Sequence, residues 1–177
     1  MHADPDFEQI VTDRLRLRRS VLEDANEISA YRSDPTVNRY QGWDRTDPDG
    51  VRADITDMAG RVPGDPGWVQ FSVLERETGD LVGDVGLSPA EGEPGVVRVG
   101  YTISPAFQGA GYATEAVAAL VEYAFERLGA DVVRAHASGE NTPSHRVAEK
   151  VGMRLVERFK RTDAGETWYG VRYERRR

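Results

Sequence analysis

In Arg14–Arg18 leucine alternates with arginine, which sets Leu15 and Leu17 on one face. A period of two predicts a half-buried strand whose basic face meets water. From Leu22 to Ser33 the period lengthens: Leu22, Ala25, Ile28 and Ala30 recur among acidic positions and predict a short helix ending before Pro35. Val37–Gly67 is rich in Asp, Gly and Pro and carries one weak helix signal, near Pro48–Ala59. Such a segment either lies over a binding site or merely connects, and its composition leaves both readings open.

The pattern sharpens afterwards. Trp68–Arg76 sets Trp68, Gln70, Ser72 and Leu74 on one side and Val69, Phe71 and Val73 on the other. A turn at Glu77–Asp80 leads to a second strand, Leu81–Leu87, so the two form a hairpin. A Glu/Gly/Pro turn at Pro89–Gly95 leads to a third strand, Val96–Ser104, completing an antiparallel meander. Gly111–Leu128 is the best helix: Ala113, Val117, Leu120, Val121, Ala124 and Leu128 form an apolar stripe, and Glu115, Glu122 and Glu126 face away. Gly129 closes it. Asp131–Ser138 follows as a strand, and a strand–helix–strand sequence predicts that it runs parallel to Val96–Ser104 with a right-handed crossover. Thr142 as cap, Pro143 in the first turn and Gly152 at the end predict one more helix. Leu155–Lys160 and Thr167–Arg175 form a last antiparallel pair around a turn at Asp163–Gly165. This order fits an α/β (α+β) fold: a mixed, mostly antiparallel sheet with helices on both faces.

Composition narrows the class. A chain of 177 residues with no repeat or long linker suits one domain, and it can bury a core without disulfides or metal. We expect residues 1–9 to be a flexible tail and residues 10–177 the domain. Met1–Glu8 is polar and acidic and is not a secretory signal, which makes the cytoplasm the default location. No apolar run reaches the 18 residues or so of a membrane span, so no membrane partner is expected. The lack of cysteine excludes thiol catalysis, disulfides and Cys-ligated zinc. The three histidines, His2, His136 and His145, lack the spacing of a helical zinc pair, so no metal is expected. A net charge of −7 disfavours nucleic acid and weakly favours cationic partners.

The chemical signal is Gln108-Gly109-Ala110-Gly111-Tyr112-Ala113, between a strand and the strongest helix. Glycine lets main chain pass close to a ligand. The first turn of a helix offers unpaired N–H groups and the positive end of its dipole, a site for a diphosphate that needs no lysine. A plain turn relieving steric crowding is the competing reading; the position just ahead of a helix favours the anion site. Gly109 to Thr114 partly imitates a dinucleotide fingerprint, with Asp131 near the ribose-binding distance. Yet the loop from Pro105 to Gln108 is long for that turn, Thr114 replaces the final small residue, and the unit follows a meander. No Gly-Lys-Ser or Gly-Lys-Thr exists for a Walker loop.

This segment resembles the Gln/Arg-x-x-Gly-x-Gly/Ala signature of the GNAT superfamily of N-acetyltransferases. Asn141-Thr-Pro-Ser144-His-Arg-Val-Ala-Glu149-Lys150-Val-Gly152-Met153 is similar to the Asn-x-x-Ser…Glu-Lys-x-Gly-Phe segment of the subgroup related to ribosomal-protein N-terminal acetyltransferases (RimJ/RimL-like), with Met153 where Phe is usual. Thr12-Asp-Arg-Leu-Arg-Leu-Arg18 is similar to that subgroup's opening. The resemblance implies a GNAT-like fold in which the parallel strands Val96–Ser104 and Asp131–Ser138 splay apart. It also implies acetyl-CoA as cofactor. The diphosphate would lie on Gln108, Gly109, Ala110, Gly111, Tyr112, Ala113 and Thr114, and pantetheine against the main chain of Tyr101, Thr102 and Ile103. Asn141 would contact the pantetheine arm and Ser144 would lie near the sulfur.

Acetyl transfer to an amine needs a neutral nucleophile, a donor toward the carbonyl and, optionally, a proton for the leaving thiolate. Positioning alone supplies up to roughly 7–11 kcal/mol. Ser144 is the acid on family grounds, against a first-turn serine that merely satisfies main chain; Tyr101 and Tyr112 are substitutes. Asp84, Glu91, Glu93 and His136 are candidate bases. Asp84 sits on a strand, where an acid must be paired, hydrated or functional, and His136 has a suitable ordinary pKa. Solvated surface is the better reading for Glu91 and Glu93. His145, Arg146 and Lys150 lie near the cofactor's nucleotide end or face water. Trp43, Trp68, Trp168 and Tyr169 could line an acceptor pocket, with core packing preferred for Trp68. The resemblance implies a protein or peptide N-terminus as acceptor. A small cationic amine such as an aminoglycoside or polyamine, or a non-catalytic acyl-CoA sensor, are the alternatives. An exposed terminal strand offers pairing with a second copy.

Overall fold

Leu15 and Leu17 are fully buried on one face of β2 (Leu15–Arg19), and that face continues across the whole sheet. The computed structural model describes residues 1–41, 43–163 and 166–177, with side chains described for all of these except Asp163 and Glu166. The tip of the last hairpin, in the turn expected at Asp163–Gly165, falls outside the described residues.

The strands are β1 (Gln9–Val11), β2, β3 (Val69–Glu75), β4 (Leu81–Pro89), β5 (Val96–Ile103), β6 (Val132–Ser138), β7 (Arg154–Asp163) and β8 (Glu166–Arg176). They form one sheet in the order β1-β2-β3-β4-β5-β6-β8-β7. Every neighbouring pair is antiparallel except β5 and β6. The helices are α1 (Ala25–Arg32), α2 (Pro35–Asn38), α3 (Pro48–Met58), α4 (Tyr112–Glu126) and α5 (Thr142–Lys150). The result is a single-domain mixed α/β, GNAT-like fold.

The two faces of the sheet are covered by different helices. On one face α4 brings Val117, Leu120, Val121 and Ala124 against Phe71, Val85, Leu87 and Val97, all buried. Each large aliphatic side chain so buried contributes roughly 1.5–3 kcal/mol, which makes this layer the main source of stability. On the opposite face α1 and α3 pack over β3 and β4, with Ala25, Ile28, Tyr31, Val51, Ile55 and Leu81 as a smaller core. β3 is therefore buried on both faces, so Gln70 and Ser72 are closed off from solvent. Their partners are polar: Arg32 donates to the Gln70 side chain at 3.0 Å, and Ser72 donates to Asp24 at 2.6 Å.

Two details differ from the sequence reading. Pro35 ends α1 but also opens α2, because the Asp34 carboxylate accepts from the Thr36 N–H at 2.8 Å and caps a further turn. The cap of α5 is Asn141 and not Thr142; its side-chain oxygen accepts from the Ser144 N–H at 3.3 Å. Ahead of β1, His2, Asp4 and Phe7 touch the domain. His2 N–H donates to the Leu128 carbonyl at 2.8 Å, Tyr123 donates to Asp4 at 2.7 Å, and Phe7 packs edge-on against Phe71 and Tyr123. Among the described residues no helix is long and apolar enough to cross a membrane, and no His/Cys/Asp/Glu cluster could hold a metal ion.

Candidate active site

The parallel pair is short. β5 and β6 are in register only from Val96↔Val132 to Val99↔Ala135. Beyond that β5 stays bonded to β4 as far as Ile103, and β6 stays bonded to β8 as far as Ser138. Each strand is held by its outer neighbour, so a V opens between residues 100–103 and 136–138. The helix α5 closes its far end. Tyr101 donates its hydroxyl hydrogen bond to the Ser144 carbonyl at 2.8 Å, and the His145 ring Nε2 lies 2.8 Å from the Ser138 carbonyl. Burial pushes the Tyr101 phenol up to about 12, against the opposing effect of its bond to Ser144, so it remains a protonated donor.

Past this same end of β5 the chain makes a short turn at Pro105–Phe107 and enters the glycine loop. The Gln108 side-chain amide donates back to the Ile103 carbonyl at 2.9 Å, fixing the loop to the end of the strand. Gly111 caps α4 at φ +86°, a left-handed conformation that other residues rarely take. Among the described residues the main-chain N–H groups of 109–114 find no acceptor. They surround the start of a helix of four turns, where the dipole is positive.

Arg14 braces this loop from outside. It donates to the Ala110 carbonyl at 2.9 Å and to the Glu115 carboxylate at 2.7 Å, and its guanidinium lies 4.7 Å from the Tyr112 ring centre. The sequence assigns the basic face of β2 to solvent. The pairing of Arg14 with a helix a hundred residues away leaves no local signal.

The splay and the loop open into one cleft of about 460 Å³. It is lined by Tyr101, Thr102 and Ile103, by Gln108, Gly109, Gly111, Tyr112, Ala113 and Thr114, and by Asn141 and Ser144. Ala110 alone of the expected cofactor residues is not on the wall; its carbonyl is turned to Arg14. Arg146 and Lys150 add positive charge along α5. The opposite wall is Thr36, Val37, Tyr40 and Gln41, with Gln41 donating to the Thr102 hydroxyl at 3.3 Å. Sequence reasoning missed this wall, although the Asp34-Pro35 helix start was a signal for it.

The candidate catalytic groups are dispersed. Ser144 lines the cleft, and its hydroxyl has no hydrogen-bond partner among the described residues. The Tyr112 hydroxyl donates to Glu75. Tyr101 is similarly committed to the Ser144 carbonyl. Asp84 is buried beneath α1, accepts from Tyr31 and does not line the cleft, but it pairs in register with Thr102, which does. Burial raises its carboxyl, opposed by Arg32 and by the Tyr31 hydrogen bond. His136 is exposed on the far side of the splay, its ring edge-on to Phe159. Partial covering of its ring is the larger cause that lowers its pKa, and Arg134, Arg172, Arg161 and Arg98 add to the effect. Glu91 is exposed, and Glu93 is held by Arg134 at 2.6 and 2.8 Å.

The aromatics divide in the same way. Trp68 lies across Gly86 and Gly100: a Cβ on Gly86 would come within 2.4 Å of the indole, and one on Gly100 within 3.0 Å. Trp43 stacks on Arg32 at 4.8 Å. Trp168 and Tyr169 line a separate depression with Phe159, on the β7–β8 hairpin.

Residues 14–154 match the family described as Acetyltransferase (GNAT) domain. Over 138 residues the chain is 32% identical to the uncharacterized N-acetyltransferase p20 of Bacillus licheniformis, covering 78% of each chain. The fold superposes on a GNAT-family acetyltransferase of Bacillus anthracis with a TM-score of 0.85 at 28% identity, covering 95% of this chain and 98% of that one. It also superposes, with a TM-score of 0.79 and coverage of 96% and 98%, on RimL, a ribosomal alpha-N-protein acetyltransferase solved in complex with coenzyme A. At 16% identity that last likeness is one of fold.

Proposed function

This chain belongs to the GNAT family of acetyltransferases, and from that premise we propose that it moves an acetyl group from acetyl-CoA to the free amino terminus of a peptide or protein. The observation that carries the reading is the run of unpaired main-chain N–H groups at 109–114, a loop whose residues other than Ala110 line one continuous cleft with the splayed strands. That donor set fits a diphosphate, and Arg146 and Lys150 fit a further phosphate of the nucleotide end. The channel between residues 100–103 and Asn141–Ser144 fits an extended arm. RimL, which shares the fold, acts on a protein amino terminus, and this supports the same acceptor class here.

When bound, acetyl-CoA supplies an activated acyl group on sulfur. The chain's own part is orientation and proton handling. The loop anchors the diphosphate, and β5 main chain aligns the arm. The Ser144 hydroxyl donates a proton to the departing thiolate and takes one back from solvent, which balances the proton the acceptor amine gives up. Tyr101 holds the first turn of α5, and so Ser144, against β5. The acceptor's proton leaves to solvent through His136, which is exposed and kept neutral near pH 7 by its lowered pKa; Asp84 is reached only behind Tyr31 and Thr102.

The test is release of free thiol from acetyl-CoA with a peptide bearing a free amino terminus, compared with the same peptide Nα-blocked. We expect release only with the free amine. Binding of acetyl-CoA without release by any amine contradicts transfer and leaves a sensor.

A further inference from the structure

Arg98 sits on β5 two residues before Gly100 and four before Thr102, with its side chain on the sheet face that carries Thr102. It is exposed, and its hydrogen bonds go to the Ser88 hydroxyl, at 3.0 and 3.2 Å. No carboxylate among the described residues pairs with it. Across the splay the same face carries Arg134 and His136 on β6, in register with Glu174 and Arg172 on β8. The described carboxylates here are committed: Glu93 and Glu174 to Arg134, and Glu157 to Arg172 at 3.1 Å. Just below the apex of the splay, where β5 and β6 are still paired, this face thus holds a guanidinium with no carboxylate partner among the described residues, in a chain whose net charge is −7.

We propose that the acceptor amine carries a carboxylate a short chain away, and that Arg98, just below the apex of the splay, binds it. This rests on the transferase reading above. An acceptor entering from this face sets its amine at the level of Gly100–Thr102 and lies back along β5. From there to Arg98 the strand runs about 7–13 Å, at about 3.3 Å per residue. An extended peptide places a carboxylate two to three residues from its amino terminus over about 7–10 Å, so the lengths agree. Trp68, whose indole covers Gly86 and reaches Gly100 with its tip, borders the route on the β4 side. A small cationic amine would meet repulsion here, despite the acidic charge of the whole chain.

The experiment measures thiol release from acetyl-CoA with four acceptors: Ala-Ala-Ala, its C-terminal amide, and the amides Ala-Asp-Ala and Ala-Lys-Ala. The free-acid and Asp peptides represent the two sources of carboxylate, terminal and side-chain. We expect kcat/KM at least ~10-fold higher for one or both of these than for the neutral amide, the worth of one charge-assisted hydrogen bond, with the Lys peptide poorest. Arg98→Gln should collapse the preference, Arg98→Lys should restore part of it, and Arg98→Glu should shift it toward the Lys peptide. Acetyl-CoA affinity reports whether each variant is folded. Equal or Lys-favoring rates in the wild type, or a preference that survives Arg98→Gln, overturn the proposal while leaving transfer intact. Absence of thiol release with every acceptor overturns the transferase reading and this proposal together.

Discussion

Arg14 grips Glu115 at 2.7 Å while also holding the Ala110 carbonyl at 2.9 Å, so one guanidinium just ahead of β2 ties the middle of the glycine loop to the first turn of α4. Glu115 is further bound by the Thr12 hydroxyl at 2.6 Å and the Arg14 N–H at 2.9 Å. Burial raises its carboxyl, but these bonds outweigh burial and hold it below the usual range. Arg14 is largely exposed, so the pair itself adds at most about 1 kcal/mol to stability. Its consequence is geometric. Arg14→Ala should lower the thermal midpoint slightly and raise the KM for acetyl-CoA about 3- to 10-fold, with kcat at saturation kept, because the loop loses its brace. Steady-state kinetics check this, and an unchanged KM refutes the bracing role.

Tyr101 and Ser144 give a second prediction. Tyr101→Phe keeps the ring and removes the 2.8 Å bond to the Ser144 carbonyl, costing about 1 kcal/mol of stability. If Tyr101 positions Ser144, kcat should fall about tenfold or more while acetyl-CoA affinity changes little. Ser144→Ala should depress kcat by a similar or larger factor, and the double variant should lose no more than the worse single one. Fully additive losses would separate the two residues.

The buried polar face under α1 makes a prediction about acid. Asp24 accepts from Arg18 twice at 2.7 Å, from Ser72 at 2.6 Å and from the Val21 N–H at 2.9 Å. Burial by itself raises its carboxyl; the hydrogen bonds from Arg18, Ser72 and Val21 and the Arg18 charge outweigh it, and the net shift is downward. A folded pKa below the unfolded one means that the stabilisation is complete above about pH 4 and disappears as pH falls through the lowered value. Asp24→Asn should destabilise by roughly 2–3 kcal/mol at pH 7, less than a wholly buried pair because Arg18 reaches water. Urea unfolding at a series of pH values should show this gap narrowing below about pH 4. A gap that is constant with pH contradicts the assignment.

Long periodic elements were legible in the sequence. The stripe of Gly111–Leu128 recurs over four turns, and β3 to β5 alternate over seven residues or more, so local period alone fixes them. The parallel β5–β6 pair follows from the handed strand–helix–strand rule. Short elements carry too few residues for a period: β1 has three, and α2 has four. The glycine loop was legible because positive φ and an open helix start are local chemistry. The wall of Val37, Tyr40 and Gln41, the brace of Arg14 and the facing of His136 are not local. They depend on register with strands far along the chain, which a single sequence does not express.

The whole reading turns on main-chain donors at 109–114 holding a diphosphate. Calorimetric titration of CoA and of pantetheine, which lacks the diphosphate, onto the wild type and Gly111→Val tests this most directly. Valine at φ +86° is strained, while the nearest atom to its Cβ, on Arg14, stands off at 3.5 Å; the loop must therefore distort without a clash that unfolds the domain. We expect CoA to bind the wild type at least ~100-fold more tightly than pantetheine, with most of that difference gone in the variant. Equal affinities for CoA and pantetheine, or a folded Gly111→Val protein that binds CoA as the wild type does, would contradict it.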